Sequence, residues 1–294
     1  MNEKKNFKIN WFNNYKVKKV FLNSLEYKKT LIYLKKQNNL SQSKVILLLK
    51  SFRQKKFPVA HILIHKNKIV GFLGTIYSIK QNFNKNYLNC NVHSWMVDIN
   101  HRIASSLLFK EINKKSSITV LSALPSLSKT FIKMGYKKFT IKYKLVFINQ
   151  FLKRPKKNDL ILVKNLNIIN KETNLRIKKL VKDYNNSRYE IFLLKNIKTS
   201  NICLVIGDLI YKKKILKTLN IIYCSNHSFL KKNLEEFYSL THINYKILLC
   251  GEFYLNNSAS ILRKNISAIR NKIIYVKGHF LKSKFDLLYS ESNF

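Results

Sequence analysis

Cys90 to Lys138, CNVHSWMVDINHRIASSLLFKEINKKSSITVLSALPSLSKTFIKMGYKK, is the stretch whose reading decides the fold. Val92 to Val97 gathers β-branched and aromatic residues into a short run bounded by polar ones, which predicts a buried strand. Asp98 to His101 is polar, and the chain is expected to turn there. Ile103, Leu107, Leu108 and Ile112 recur at intervals that lay an apolar stripe along a helix. Ser117 to Leu121 is a second β-prone run. Pro125 suits a first helical turn, Leu127, Phe131 and Met134 follow at helical spacing, and Gly135 stops them. The order is therefore strand, turn, helix, strand, helix, and a Gly135–Tyr136 step into a further strand, KKFTIKYKLVFI.

Upstream, AHILIHKNKIVGFLGTIYS (Ala60 to Ser78) is the clearest hairpin, two apolar runs flanking the reversing cluster His65-Lys66-Asn67-Lys68. Gly71 and Gly74 lie inside the second run, where a missing side chain predicts a bulge or a close backbone approach. His61 and His65 would share a strand face, but no third ligand stands nearby, so no metal site is expected. Residues 1–21 could hold a first strand, LEYKKTLIYLKKQ and QSKVILLLKSF two helices, and Gln81 to Asn91 a polar loop.

Downstream, Lys153-Arg154-Pro155-Lys156-Lys157 breaks the hydrophobic pattern and reads as a basic, solvated linker between 1–152 and 158–294. The second part predicts a strand over Asp159–Val163 and a helix over Lys171–Tyr184 with Leu175, Leu180 and Val181 inward. A hairpin over Ile202–Ile215, a strand over Leu219–Cys224, a helix over Phe229–Leu240 and a strand over Tyr245–Cys250 follow. Strand–helix–strand thus recurs, at Val97–Val120 and Tyr223–Leu248, as a structural pseudo-repeat with negligible identity.

A hydrophobic content of 46% with 13% aromatics predicts a packed globular chain. The formal charge of +42 invites a nucleic-acid reading, because neutralising phosphates drives such binding. Yet only seven of the 56 basic residues are arginine, the better bidentate reader of phosphate and guanine, and the basic residues are spread along the whole chain. Nucleic-acid binding is therefore not the leading expectation. Cys90, Cys203, Cys224 and Cys250 are too far apart for a C–x–x–C motif and are expected to be free thiols. MNEKKNFKIN lacks the apolar run of a signal peptide, and nothing approaches the length of a membrane span, so a cytoplasmic protein is expected.

Val97, Arg102, the helix–strand–helix that follows and Gly135–Tyr136 together resemble the cofactor-binding half of the GNAT superfamily of acyl-CoA N-acyltransferases. SWMV…HRIASSLL, with Lys277–Gly278 and then Asp286, Leu287, Tyr289 and Glu291, is similar to a bacterial branch carrying SWYV…R–A–x–A–x–LL and a K–G…D–L–x–Y–x–E ending. The resemblance implies an α/β fold, a mixed sheet flanked by helices, in two GNAT-like halves in tandem. It implies acyl-CoA, acetyl or longer, as co-substrate, an amine as acceptor, and no metal. Trp95, Met96 and Val97 would be the strand to which the pantetheine arm adds, and Arg102, Ile103, Ala104, Ser105 and Ser106 the pyrophosphate cradle at a helix N-terminus. The catalytic candidates are His93, Asp98 and Glu291. Two departures stand out. No glycine lies between Gly74 and Gly135, where the superfamily loop is Gly-rich, and Phe131 occupies the position of the tyrosine that many members use as an acid. Three readings stay open: an acyltransferase, an inert GNAT-like binding or scaffold protein, and a basic nucleic-acid-associated protein, which includes a transferase drawing its acyl group from charged tRNA.

Overall fold

The computed structural model describes residues 14–37, 45–46, 49, 56–82, 85–112, 115–148, 159–185, 189–212, 215–255, 270–278 and 287–288. In chain order these form β1 (Tyr15–Val20), α1 (Leu25–Lys35), β2 (Ala60–His65), β3 (Lys68–Asn82), β4 (Lys85–Val97), a 3₁₀ helix (Ile99–Ala104), α2 (Leu107–Lys110), β5 (Ser117–Val120), α3 (Ser128–Lys133) and β6 (Lys137–Phe147). Then come β7 (Leu160–Val163), α4 (Leu166–Glu172), α5 (Leu175–Tyr184), β8 (Tyr189–Asn196), β9 (Ile202–Lys212), β10 (Leu216–Cys224), α6 (His227–Lys232), α7 (Leu234–Tyr245), β11 (Leu249–Leu255) and β12 (Arg270–Lys277). The chain divides into two compact units, Met1–Phe139 with Ile273–Leu281 and Tyr289–Phe294, and Thr140–Lys272 with Lys282–Leu288.

In the first unit the strand order is β1-β2-β3-β4-β5-β12. The reversal between β2 and β3 is a two-residue turn with Lys66 and Asn67 both at positive φ, 46° and 63°, the backbone that matches the twist of a hairpin. The β3–β4 hairpin is longer than expected: of the supposed polar loop Gln81–Asn91, the described residues 81–82 and 85–91 are paired strand, in register from Ser78↔Asn89 out to Asn82↔Lys85. Ladder hydrogen bonds there override the low strand propensity of asparagine. α1, capped by Ser24 Oγ accepting from the Tyr27 amide, covers a core of Val20, Tyr27, Leu34, Ile62 and Phe72. α2 and α3 supply Leu108, Phe109 and Phe131 to a second core with Leu63, Leu73, Val92 and Tyr275. Of the expected helix over residues 42–52, Val45, Ile46 and Leu49 are described; all three are helical, and Val45 and Leu49 are buried.

The second unit has the order β6-β11-β10-β9-β8-β7. Of Ile202–Ile215, expected to be a hairpin, Ile202–Lys212 is the single strand β9, which pairs antiparallel with β10 after it and with β8 before it, a strand the sequence does not announce. Both long helices are interrupted at asparagine. Asn174 Oδ1 accepts from the Ile177 amide and starts α5 afresh, which leaves Leu175 83% exposed rather than inward, while Leu180 and Val181 are buried. Asn233 likewise separates α6 from α7, and α7 runs to Tyr245 before left-handed Lys246 ends it, so the last expected strand starts at Leu249.

The two units share one topology. Each has three antiparallel pairs (β1/β2, β2/β3, β3/β4; β7/β8, β8/β9, β9/β10). A parallel pair with a helical crossover follows, β4/β5 and β10/β11, and then an antiparallel sixth strand. That sixth strand comes from the other part of the sequence: β12 pairs with β5, and β6 pairs with β11. The division between units accordingly falls between Phe139 and Thr140, while the expected linker 153–157 lies outside the described residues. Among the described residues no helix is long and apolar enough to cross a membrane.

Candidate functional site

β4 and β5 run side by side only from Asn89↔Ser117 to Val92↔Val120, yet β4 continues to Val97. Over that extension β4 keeps β3 on its other edge, as far as Gly71↔Val97. Two strands that part this way leave the β5-facing amides and carbonyls of Trp95, Met96 and Val97 without a strand partner among the described residues. Ser94 sits at the fork with φ of 50°, and the β3 register slips there, Gly74↔His93 being followed by Phe72↔Met96. Two β4 residues thus face one on β3, a β-bulge.

The bulge decides which way His93 faces. Simple alternation would put His93 on the face of Trp95 and Val97; the extra residue turns His93 and Met96 to the side of Phe72 and α1, and leaves Trp95 and Val97 packed with Phe109 and Phe131. His93 is 2% exposed, and burial depresses its pKa to about 3. Its Nδ1 lies 3.0 Å from Ser94 Oγ, and its Nε2 has no hydrogen-bond partner among the described residues. The imidazole occupies the room that Gly74 leaves, since a Cβ there would stand 2.2 Å from His93 Cε1. Gly74→Ala should accordingly cost about 1–3 kcal/mol of stability by overpacking. Chemical denaturation measures it, and an alanine variant as stable as the wild type would show that the ring moves freely.

Asp98 ends β4 and accepts hydrogen bonds from Tyr33 Oη (2.8 Å) and Gln37 Nε2 (3.3 Å). Tyr33, buried on α1, is a residue the sequence reading missed; burial and the Asp98 carboxylate together raise its pKa above the ordinary phenol value. About five residues of strand, roughly 15 Å, separate His93 from Asp98, so the two do not form an acid–base pair.

Past Asp98 the expected helix from Ile103 to Ile112 is not one helix. A 3₁₀ turn begins earlier, at Ile99, and ends at Ala104, and only Leu107–Lys110 is α-helical. Ile103 is 62% exposed, so the inward stripe starts at Ala104 and continues through Leu108, Phe109 and Ile112. The Ser105 amide already donates to the Arg102 carbonyl (3.1 Å), which removes it from the set of free donors expected at a helix N-terminus. Arg102 is exposed, and Ser105 and Ser106 are half-buried. His101, on the same turn, lies with Nδ1 2.9 Å from Tyr15 Oη and its ring 4.9 Å from that of His65.

The structure brings together two separated motifs. Lys277 Nζ donates to the Met134 carbonyl (2.8 Å) at the end of α3 and lies 5.7 Å from the centre of the Tyr136 ring, so Lys277–Gly278 meets Gly135–Tyr136. Beneath the fork, Phe131 is surrounded by Trp95, Phe109, Tyr136 and Tyr275, ring centres 4.9–6.0 Å away. Tyr275, opposite Val120 where β4 and β5 part, was not legible as a site residue. Trp95 Nε1, Tyr136 Oη and Tyr275 Oη are buried with no hydrogen-bond partner among the described residues. Asp286, Tyr289 and Glu291 lie outside the described residues.

No family model matches the sequence, and no curated protein matches it. Solved structures do. A GCN5-related N-acetyltransferase from Anabaena variabilis is 11% identical, with a TM-score of 0.60 over 89% of this chain and 72% of its own. One from Kribbella flavida is 7% identical, with a TM-score of 0.61 over 90% and 71%. A probable N-acyltransferase from Enterococcus faecalis is 12% identical, with a TM-score of 0.55 over 89% and 71%. At such identities the likeness is one of backbone and not of residues: the chain has the mixed α/β fold of the GCN5-related N-acetyltransferases, a large mixed sheet flanked by helices.

Proposed function

We propose that the chain is an acyl-CoA-dependent N-acyltransferase made of two GNAT-like halves, with its CoA site at the fork of the first unit. The observation that carries this reading is the unpaired run Trp95–Val97 beyond the Ser94 bulge. A strand edge left open inside a covered sheet accepts a main-chain-like ligand, and the amide-bearing pantetheine arm is one. The orphaned Trp95 Nε1 beside that edge is a second feature that a polar ligand would satisfy. The pyrophosphate end fits less fully. With the Ser105 amide committed, the exposed Arg102 guanidinium carries the anion contact, aided by Ser106, rather than a row of backbone amides.

Acyl transfer from the thioester requires that the amine lose a proton and the departing sulfur be stabilised. Asp98, oriented by Tyr33 and Gln37, is the carboxylate this site offers to a cationic amine. His93, neutral and buried, shapes the bulge and is a poor base at physiological pH. Tyr136 and Tyr275 hold buried hydroxyls able to donate to the sulfur, a role that Phe131 cannot fill. Glu291 stays a candidate base from the C-terminal motif.

The spent Ser105 amide and the well-filled aromatic cluster favour a second reading, an inert GNAT-like scaffold. Calorimetry separates the two. Acetyl-CoA or a longer acyl-CoA should bind the wild type, and Arg102→Ala should weaken binding about tenfold to a hundredfold, the worth of one charge-assisted contact. Thermal stability should barely change, because an exposed arginine contributes little to folding. Ser105→Asp should bind more weakly still, by placing like charge beside the phosphates. No binding of either thioester at millimolar concentration leaves the scaffold reading.

A further inference from the structure

The four cysteines are not alike. Cys90 and Cys250 are each buried, and burial pushes their thiols up. Cys203, at the start of β9, and Cys224, the last residue of β10, are different: their Sγ atoms lie 3.3 Å apart across two neighbouring strands. We propose that Cys203 and Cys224 form a reversible disulfide when the protein meets a peroxide, a redox-sensitive site within the second unit. A disulfide needs its sulfurs about 2.05 Å apart, so closure asks for a shift of roughly 1.3 Å, within reach of small side-chain rotations at two strand ends. The chain around the pair is already tied down: the Leu204 amide donates to Ser225 Oγ (2.8 Å), and the Ser225 amide to the Leu204 carbonyl (2.9 Å).

The two thiols have unequal roles. A hydrogen bond from Cys224 lowers the pKa of Cys203, and further hydrogen bonds at Ser225 and Asn226 help; the same contact with Cys203, together with burial, raises that of Cys224. Cys203 is therefore the thiolate that attacks. Its sulfur bonds to one peroxide oxygen, the O–O bond breaks, and hydroxide leaves and takes a proton to become water. Cys224 sulfur then attacks the resulting sulfenic acid, the S–O bond breaks, and the second hydroxide leaves with the remaining proton as water. The two sulfurs have each given one electron, and one peroxide has become two waters. Because both residues are buried, the reaction proceeds as the strand ends open locally.

The linkage would tie the start of β9 to the end of β10, at the junction that leads into α6 through the N-cap Asn226. The test treats the full chain with hydrogen peroxide, blocks the remaining thiols, digests it and maps the peptides. Expected are one intramolecular link between the Cys203 and Cys224 peptides, loss of two titratable thiols, a mass 2 Da lower, and recovery with dithiothreitol. The oxidised protein should melt about 5–10 °C higher. In Cys224→Ser, which keeps a hydrogen-bond donor beside Cys203 but cannot form the link, dimedone should trap a sulfenic acid at Cys203. Four intact thiols, a link through Cys90 or Cys250, or a link between two chains would overturn the proposal. So would a Cys203–Cys224 link that dithiothreitol does not reverse, since the site would then not be a reversible one.

Discussion

Lowering the pH from 7 to 5 should cost the protein about 4 kcal/mol of stability through two histidines alone. His61 and His93 are fully buried, and burial depresses their folded pKa values from 6.5 to about 4 and about 3, with Lys19 adding to the effect at His61. The unfolded chain takes up protons near pH 6.5 that the folded chain refuses. Stability is therefore full above pH 6.5 and falls as the pH drops from there towards 4 and 3. Each group contributes about 1.4 kcal/mol per pH unit in that window, or about 2 kcal/mol at pH 5. Urea midpoints at pH 7 and 5 read the difference. The double variant His61→Gln/His93→Gln should show a flatter acid limb, whatever its stability at neutral pH. Equal wild-type midpoints at the two pH values, or an acid limb in the variant as steep as in the wild type, would rule the account out.

Phe131→Ala should destabilise the fold by about 3–5 kcal/mol, the cost of emptying an aromatic site that cannot collapse. The side chain is 1% exposed and stacks on Tyr275 while meeting the edges of Trp95, Phe109 and Tyr136. Its neighbours come from β4, β12 and the segments around α2 and α3, so no single element can move in to fill the gap. Phe131→Leu, which keeps most of the volume, should cost markedly less. The emission of Trp95 should shift to longer wavelength in the alanine variant as its ring gains water. A loss under 1 kcal/mol for Phe131→Ala would mean that the cluster is loosely packed and the fork above it is not held in shape.

The sequence was legible where the local pattern and the tertiary environment agree. Lys66–Asn67 makes its turn because only those two residues need positive φ, and Gly135 stops α3 at φ of 83°. It was misleading where pairing partners decide. Asn86, Asn89 and Asn91 are strand because β3 lies alongside them, and Ile202–Lys212 is one strand because β8 and β10 hold both its edges. One irregular residue, Ser94, reversed the facing of His93, and no periodicity argument can place a bulge. Arg102 and Trp95 could be picked out from the central stretch, whereas Tyr33 and Tyr275 reach the site from elements about 60 residues before it and about 155 after Val120.

The exchange of sixth strands has a consequence for how the protein is made. During synthesis β5 is present well before its outer neighbour, β12, which begins 150 residues after β5 ends. The β5 edge that β12 covers therefore stays unpaired by it until β12 itself has left the ribosome. Contacts of such sequence separation slow folding, because the intervening loop must be closed before they form. A polypeptide cut at residue 152 would lack the strand that covers β5, and the remainder would lack β6, so neither piece carries a complete sheet. Supplied together, each piece would hold the strand the other needs.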